Sequence, residues 1–335
     1  MTGVQTCALP ISLRPLKFHP ILKQTLWGGE RIIPYKELAS GLSRVGESWE
    51  LSGMPGSESV VAEGPWAGST LSELIGRFGA ELLGKANYAR FGQEFPLLVK
   101  FIDAREDLSI QVHPDDELAR KRHGKSGKCE MWYVLEAEPG ASLLTGFSRP
   151  IAPAEYERRV ADNTLTDVLN RQAIASGDVF YLPAGRVHSI GKGSFIVEIQ
   201  QSSDITYRIY DFDRRDAAGN SRELHTELAR EAIDFESSEN SRITYAPENN
   251  QEVRLVTTPY FTTSLYTLTA RTRCDWSATD SFVAIVLLQG SGSLTDNEGN
   301  RIDVRQGETW LLPASTQWTE ITPHTAPLRL LTSRI

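Results

Sequence analysis

The stretch GDVFYLPAGRVH, from Gly177 to His188, recurs later in the chain as GETWLLPASTQW, from Gly307 to Trp318. Both copies run from a glycine and an acidic residue through an apolar segment to Leu-Pro-Ala, with four positions after it. A pattern that recurs in this way indicates a fold unit that occurs twice. At the last position, histidine can bind a metal, whereas tryptophan can only pack. We therefore predict one working copy and one supporting copy.

Short strands dominate on both sides of this repeat. Segments such as SFIVEIQ and FVAIVLLQ are separated by Gly, Pro, Asn and Asp turns, which is the pattern of an all-β barrel or sandwich. Helical periodicity and helix-start signals predict a helix over 69–84, a shorter one over 115–124 and a helical pair over 152–172. The pattern is typical of a mainly β protein with a few inserted helices.

A polar stretch, ESSENSRITYAPENNQ, divides the chain at residues 236–251 and has little to bury. We interpret it as a linker between a first domain over 13–235, which contains the helical insertions, and a degenerate β domain over 252–335. Residues 1–12, MTGVQTCALPIS, share no pattern with the rest and lack the features of a secretory signal. We interpret them as a non-native leader.

The bulk properties of the 335 residues exclude several classes of protein. A net charge of −8 argues against a general nucleic-acid binder, which needs clustered lysine and arginine. We find no apolar run of the roughly 18 residues that span a bilayer. The three cysteines are odd in number and widely spaced, so they predict a reducing, cytoplasmic environment. We expect a soluble protein with a small-molecule partner and no obligate protein partner.

The segment around His188 resembles the second cupin motif, in which a strand, a turn and a strand place a histidine inside a small β-barrel. The first cupin motif usually carries His-x-His followed closely by Glu. Here it would be Gln111-Val112-His113, with the glutamate delayed to Glu130. Four motifs in order make the chain similar to type I phosphomannose isomerases of the short bacterial kind: LSIQVHPDDELA, GKCEMWYVL, YLPAGRVHSIGKG and EIQQSSDITYRIYDFDR. The resemblance implies two cupin-type β-barrel (jelly-roll) units.

A metal site follows from this resemblance, with His113, Glu130 and His188 as ligands and Gln111 as a fourth, neutral oxygen donor. Gln111 and His113 stand two apart on a predicted strand, so both side chains leave the same face. Nitrogen and oxygen ligands without sulfur suit Zn²⁺ or another divalent metal, and we expect one Zn²⁺ per chain. Taken singly, each histidine is more often structural than a ligand. Together they favour a catalytic site with an open position.

Further residues are candidates for the chemistry. Glu198 should point into the barrel, where it would transfer a proton or pair with a neighbouring arginine. Arg208 matches the arginine that the family treats as catalytic, and it would stabilise an enediolate, although a structural ion pair with a nearby aspartate is the alternative. Lys128 would donate to a sugar hydroxyl or remain solvated. Ser109 and Arg214 are weaker candidates for contacts to a substrate phosphate.

The activity implied by the resemblance is the interconversion of mannose 6-phosphate and fructose 6-phosphate through a cis-enediol. Two alternatives stay open. A metal-cupin dioxygenase would usually have a third histidine where this chain has Gln111. A non-catalytic sugar-binding cupin would be expected to have lost its ligands in both copies.

Overall fold

The computed structural model describes residues 13–216, 218–236 and 240–335. The predicted leader, residues 1–12, lies outside the described residues. The α-helices are α1 Ile32–Tyr35, α2 Leu71–Phe78, α3 Ala80–Leu83, α4 Lys85–Phe91, α5 Asp116–His123, α6 Pro153–Ala161 and α7 Thr226–Ala232. Of the helices in these ranges, none combines the length and apolar character needed to cross a membrane.

Strands make up most of the regular structure, so the fold is mainly β, as the sequence predicts. In chain order they are β1 Leu16–Lys17, β2 Ile21–Gly29, β3 Val45–Leu51, β4 Gly53–Met54, β5 Ser57–Glu58, β6 Leu97–Asp103, β7 Ile110–Val112, β8 Glu130–Ala137, β9 Ser142–Phe147, β10 Leu169–Ala173, β11 Val179–Leu182, β12 His188–Ile190, β13 Ser194–Gln201, β14 Tyr207–Tyr210, β15 Arg242–Ile243, β16 Val253–Thr257, β17 Thr262–Leu268, β18 Thr272–Asp275, β19 Val283–Gln289, β20 Ser291–Asp296, β21 Arg301–Arg305, β22 Thr309–Leu312, β23 Trp318–Pro323 and β24 Leu328–Arg334.

Two sheets enclose a first apolar core, and we call this pair the first sandwich. The larger sheet has the order β15-β11-β8-β13-β6-β3-β2 and the smaller one β10-β9-β12-β7-β14. Trp132, Phe180 and Ile196 from the larger sheet meet Leu143 and Ile190 from the smaller one. The functional side chains described below lie at one end of this core.

A second pair of sheets, the second sandwich, repeats this arrangement. Its sheets have the orders β1-β22-β19-β24-β17-β16 and β18-β23-β20-β21. The series β11-β8-β13-β6 in the first sandwich corresponds to β22-β19-β24-β17 in the second, and β10-β9-β12-β7 corresponds to β21-β20-β23-β18. In both sandwiches the chain passes from the larger to the smaller sheet between corresponding strands, for example from β11 to β12 and from β22 to β23. The repeat in the sequence is therefore a repeat of strand order.

Strand pairing at two places does not follow the predicted domain boundaries. Strand β1, from the predicted first domain, pairs with β22 of the second sandwich. Strand β15 falls within the predicted linker, yet it pairs with β11 of the first sandwich. The backs of the two large sheets also share one apolar core with α2 and α3, to which Phe101, Val197, Val286 and Leu331 contribute. The two sandwiches therefore pack against each other along their length.

Two of the helix predictions needed correction. The capping box of Thr70 and Glu73 forms as predicted, but Gly79, with φ of +49°, ends α2 and separates it from α3. The second helix of the predicted pair was wrong, because Leu165–Val168 forms a 3-10 turn and the chain then enters β10. Pairing of β10 with β9 satisfies the backbone of this segment, so tertiary contact outweighs the helix-start signal.

The strand register also corrects the alignment of the repeat. Ile190 of β12 and Ile321 of β23 pair with equivalent strands and face the two inner cores at corresponding places. The residues two positions earlier, His188 and Thr319, therefore correspond. The prediction that Trp318 holds the place of His188 was wrong by one residue, because six residues separate Thr319 from the end of β22, whereas five separate His188 from the end of β11.

Candidate metal centre and active site

Three potential metal ligands meet at one end of the first core. His113 follows β7 directly, Glu130 begins β8 and His188 begins β12, so both sheets contribute. Their ligand atoms all lie within 4.8 Å of one another, and all three side chains are buried. His188 Nε2 lies 3.2 Å from Glu130 Oε1, and His113 Nε2 lies 3.5 Å from Glu130 Oε2. Within the described ranges, this is the one group of three or more such residues.

Both imidazoles are oriented by backbone carbonyls. The Nδ1 atoms of His113 and His188 lie 2.8 Å from the carbonyl oxygens of Ile205 and Arg186, a geometry in which Nδ1–H donates and Nε2 keeps its lone pair. Burial is the main reason why the pKa of His113 falls well below its usual value and that of His188 falls to about 4. Both rings are therefore neutral near pH 7, which is the form that binds a metal.

Glu130 is the carboxylate of the group, and its surroundings fit a cation. Neither of its oxygens receives a hydrogen bond of acceptable geometry, although both are buried. Burial, followed by the nearby charge of Glu198, raises the pKa of Glu130 to about 7. The ammonium of Lys128 lies 2.9 Å from Glu130 Oε2 and 3.1 Å from His113 Nε2. A positive group thus already stands among the ligand atoms, and a divalent metal would satisfy the same carboxylate.

Gln111, the predicted fourth ligand, lies beside this group. It pairs with His188 in the sheet, and its Nε2 lies 3.3 Å from His188 Nε2. Ser109 Oγ donates to Gln111 Oε1 over 3.3 Å. Coordination through the amide oxygen would therefore require the amide to be turned over. The structure brings Gln111 to the site, but with its amide nitrogen, instead of its oxygen, towards His188.

Glu198 faces the same space from strand β13. Lys100 Nζ donates to one of its oxygens over 3.0 Å and Trp132 Nε1 to the other over 2.9 Å. Burial by itself would raise the pKa of Glu198, but the charges of Lys100 and Lys128 outweigh burial and lower that pKa to about 2. The carboxylate is therefore ionised, and its ionic partner is a lysine instead of the expected arginine.

Lys100 and Trp132 are site residues that the sequence analysis missed. Lys100 pairs with Glu198 across the strands, and both are buried. A signal was present, because Lys100 interrupts the otherwise apolar run LLVKFI in β6. A charged residue in a buried strand needs a partner, and the strand opposite contained one. Trp132 gave no such signal, since its indole looks like an ordinary core residue.

Lys100, Lys128 and Glu198 line a cavity of about 600 Å³, and Lys128 separates its wall from the three ligand residues, which are not part of that wall. The wall of the cavity includes five of the predicted site residues, namely Ser109, Gln111, Lys128, Glu198 and Arg208. Its volume is in the usual range for a small-molecule site, roughly 300–1,000 Å³. The cavity wall is rich in charged and polar side chains, as expected for a polar ligand.

Arg208 lies on β14, directly opposite Gln111 in the sheet. Its Nη1 donates to the carbonyl of Glu223 over 3.0 Å, while its buried Nε has no hydrogen-bond partner. No carboxylate of the described ranges lies within ion-pair distance of Arg208, so the expected aspartate pair does not form. Asp211 instead pairs with Arg222, a residue that the sequence analysis did not consider.

Arg214, the other predicted phosphate contact, is placed differently. Its guanidinium donates to the carbonyl of Asp107 and lies 3.8 Å from Asp211. It does not contribute to the wall of the cavity. The structure therefore brings together the predicted metal ligands with Ser109, Lys128, Glu198 and Arg208, and leaves Arg214 outside.

Comparison with known proteins is consistent with this geometry. Residues 16–143 match the family model described as the catalytic domain of type I phosphomannose isomerase. The chain is 34% identical over 303 residues to the probable mannose-6-phosphate isomerase GmuF of Bacillus subtilis, covering 90% of this chain and 93% of that protein. It is 33% identical over 302 residues to the mannose-6-phosphate isomerase of Streptococcus mutans, covering 89% and 92%.

Solved structures show the same similarity. The crystal structure of mannose 6-phosphate isomerase from Bacillus subtilis superposes with a TM-score of 0.86 at 30% identity, covering 96% of this chain and 99% of that one. A putative mannosephosphate isomerase from Archaeoglobus fulgidus superposes with a TM-score of 0.76 at 21% identity, which shows a shared fold.

Proposed function

Because this chain belongs to the type I phosphomannose isomerase family, we propose that it interconverts mannose 6-phosphate and fructose 6-phosphate as an aldose-ketose isomerase. The observation that carries this proposal is the buried group of His113, Glu130 and His188, which lies directly behind Lys128 and Gln111 in the wall of a charged cavity. The product is formed by moving a proton between neighbouring carbons, and the cavity supplies acid, base and positive charge for that step.

We propose further that each sandwich is a cupin-type jelly-roll unit. The repeated strand orders support this assignment. The first unit, over 13–235, would carry the reaction, and the second, over 252–335, would support it. Strand β15 supports moving the end of the first unit past residue 243, into the stretch that the sequence analysis treated as a linker.

The metal of this site is proposed to be one Zn²⁺ per chain, held by His113, Glu130 and His188, with Gln111 as a fourth donor. Two neutral imidazoles and one carboxylate form a ligand set that suits zinc and leaves a position for substrate. When bound, such an ion polarises a carbonyl and stabilises negative charge on substrate oxygens. The buried carboxylate of Glu130, which has no hydrogen bond of acceptable geometry and already attracts the ammonium of Lys128, supports a cation at this point.

Glu198 is proposed to handle the transferred proton. In the direction from aldose to ketose, the proton leaves C2, a cis-enediol forms, and a proton is returned to C1 while the hydroxyl proton moves from O2 to O1. Glu198 is ionised and therefore able to accept a proton, and its two hydrogen bonds fix its orientation. Lys100, which donates one of them, holds a positive charge next to the site of proton transfer.

Arg208 is proposed to stabilise the enediolate. Its strand position opposite Gln111 places it next to the metal ligands, and its Nε has no other acceptor. A fixed donor aimed at charge that develops during the reaction lowers the barrier more than it tightens binding. Lys128, whose ammonium lies among the ligand atoms, would donate to a sugar hydroxyl once a metal takes its place beside Glu130.

The substrate phosphate is proposed to contact Ser109, which shares a strand and the cavity wall with Gln111. The role of Arg214 in phosphate binding stays a prediction from the sequence, and its carbonyl partner supports a structural role instead. The cytoplasmic location also stays a prediction. The two described cysteines, Cys129 and Cys274, are free and buried.

The alternatives have less support. A metal-cupin dioxygenase has no use for two lysines and three arginines around a polar cavity, and the position expected for a third histidine holds Gln111. A non-catalytic sugar-binding cupin does not need an ionised, buried Glu198 between two donors.

A coupled assay with mannose 6-phosphate, before and after chelation, tests the proposal. We expect turnover that is lost on chelation and restored by Zn²⁺, with about one metal ion per chain by elemental analysis. Turnover that persists in a protein shown to be free of metal would contradict the metal-dependent mechanism. Oxygen consumption without isomerisation would favour the dioxygenase.

A further inference from the structure

We propose that Arg222, which is held in place by Asp211, binds the phosphate group of the substrate at the end of the cavity away from the metal ligands. This inference rests on the proposed function, since it names the part of the cavity that recognises the phosphate of the sugar. It assigns this role to a residue that lies outside the motifs of the sequence analysis.

The first observation is how Arg222 is held. Arg222 contributes to the wall of the cavity. Its Nε and Nη2 donate to the two oxygens of Asp211 over 2.8 and 2.5 Å, and Asp211 is only 5% exposed. This two-point pair holds the plane of the guanidinium and leaves Nη1 outside the pair. A guanidinium held in this way loses little entropy when it binds an anion.

The second observation is the positive charge next to Arg222, on the side nearer the metal ligands. Arg208 contributes to the same wall, and burial together with the charge of Arg222 lowers its pKa, so the two guanidinium groups are close enough to repel each other. The buried Nε of Arg208 lacks an acceptor. Two neighbouring guanidinium groups in one cavity favour a ligand with several anionic oxygens, and with Arg208 next to the reacting carbons, Arg222 is the group left for a phosphate dianion.

The position of Arg222 also fits the length of the substrate. Arg208 is opposite Gln111 and therefore adjacent to the metal ligands. Asp211 comes directly after the end of β14, so the residue that it holds lies further along the cavity. A sugar that places C1 and C2 near the metal ligands extends its C6 phosphate away from them. Along the cavity, the metal ligands and Arg208 come first and Arg222 follows. Along the substrate, C1 and C2 come first and the C6 phosphate follows, so the two orders agree.

Two other arginines are rivals for this role. Arg214 does not contribute to the cavity wall, and its guanidinium donates to the carbonyl of Asp107. Arg44 does contribute to the wall, but it precedes β3 of the opposite sheet and is exposed. Neither has a buried carboxylate that grips two of its nitrogens, as Asp211 grips those of Arg222.

The experiment compares Arg222→Lys with Arg215→Lys and Arg44→Lys. Arg215 is an exposed residue of the same segment whose Nη1 donates to the carbonyl of Gly219, so it is a matched control outside the cavity. For each protein, the kcat and KM for mannose 6-phosphate and the inhibition constant of inorganic phosphate are measured, together with metal content and thermal unfolding. The double variant D211N/R222Q, which removes both charges of the pair, is measured alongside in case R222K does not fold.

In R222K we expect both the KM and the inhibition constant of phosphate to rise about tenfold or more, because lysine cannot make the two-point contact, while kcat changes little. The double variant should show the same rise, and R215K should resemble the unmodified protein. Unchanged constants in R222K and in the double variant would overturn the proposal. A rise confined to R44K would also overturn it, by placing the phosphate at the opposite wall.

Failure of the proposed function gives a different result. A protein that binds inorganic phosphate, measured by its protection against thermal unfolding, and loses this binding in R222K, yet does not isomerise mannose 6-phosphate, would retain the anion site and lose the isomerase assignment.

Discussion

The two sandwiches share a strand order, but four corresponding positions differ in residue type, since the first sandwich has potential metal ligands there and the second does not. The strand register places the following residues of the second sandwich where the first has Gln111, His113, Glu130 and His188, in that order: Cys274, Trp276, Val283 and Thr319. In the second sandwich these residues satisfy one another, since Trp276 Nε1 donates to Thr319 Oγ1 over 3.0 Å. In the first, no hydrogen bond of acceptable geometry reaches the oxygens of Glu130, and only the ammonium of Lys128, 2.9 Å from Oε2, offsets their charge.

The difference shows what a site requires beyond a fold. One strand arrangement can be closed by apolar and self-paired side chains, or it can hold buried polar groups whose partner is a ligand. Trp318 belongs to neither set. It lies on the outer side of the second sandwich, where the guanidinium carbon of Arg273 is 4.2 Å from its ring centre. Four predictions use this comparison, beginning with the largest expected effect.

Replacing Glu130 with Val places in the first sandwich the residue type that the second has at the corresponding position, Val283. We expect loss of bound metal and a fall in kcat of at least about 10³-fold, because removing metal chemistry removes several kcal/mol of transition-state stabilisation. Thermal stability measured without metal should fall, because the buried ammonium of Lys128, 2.9 Å from Glu130 Oε2, loses its anionic partner. Elemental analysis, turnover and thermal unfolding check these points. Normal metal content with normal turnover would show that Glu130 is not a ligand.

The reverse change, Val283→Glu, places a carboxylate in the second core without histidine neighbours. Val283 is 1% exposed, so the free energy of unfolding should fall by about 3 to 5 kcal/mol, as for other uncompensated buried charges. The variant should bind no additional metal. Urea denaturation and elemental analysis check this, with Val283→Ala as the control for lost packing. A stable variant with a second metal ion would show that the two sandwiches differ less than the register indicates.

Arg208→Ala tests the catalytic part of the first sandwich. We expect kcat to fall by about 10², with metal content and fold unchanged, because one fixed donor to a developing oxyanion is removed. KM should change less than kcat. A raised KM with an unchanged kcat would instead make Arg208 a phosphate-binding residue, and loss of metal would indicate a structural role.

Trp276→Phe tests the self-paired positions of the second sandwich. Removing the indole N–H should lower the free energy of unfolding by about 1 kcal/mol, the usual contribution of one hydrogen bond. Turnover and metal content should not change. Chemical denaturation and the coupled assay measure the two quantities. A substantial loss of turnover in a folded variant would show that the second sandwich takes part in the reaction.

The mainly β fold and the repeated unit could be predicted from the sequence, because hydrophobic periodicity and turn residues are local signals. The candidates around the metal site could also be predicted, since His113, Glu130 and His188 belong to recognisable motifs. The one-residue error at Trp318 could not be avoided in the same way. One extra residue before the corresponding position moves the residues that follow to the other face of the strand, and only pairing with the neighbouring strand shows where the shift occurs.

What the sequence determined by itself is therefore the set of elements and the chemical types of the candidate ligands. The tertiary structure decided which side chains meet. Lys100 and Glu198 are 98 residues apart and pair across β6 and β13. Arg222, which is paired with Asp211, contributes to the cavity wall, whereas the predicted Arg214 does not. Contacts between distant segments depend on strand order and register, which arise from burial over the whole chain. A short stretch such as LLVKFI shows that Lys100 needs a partner, but it does not show which residue that partner is.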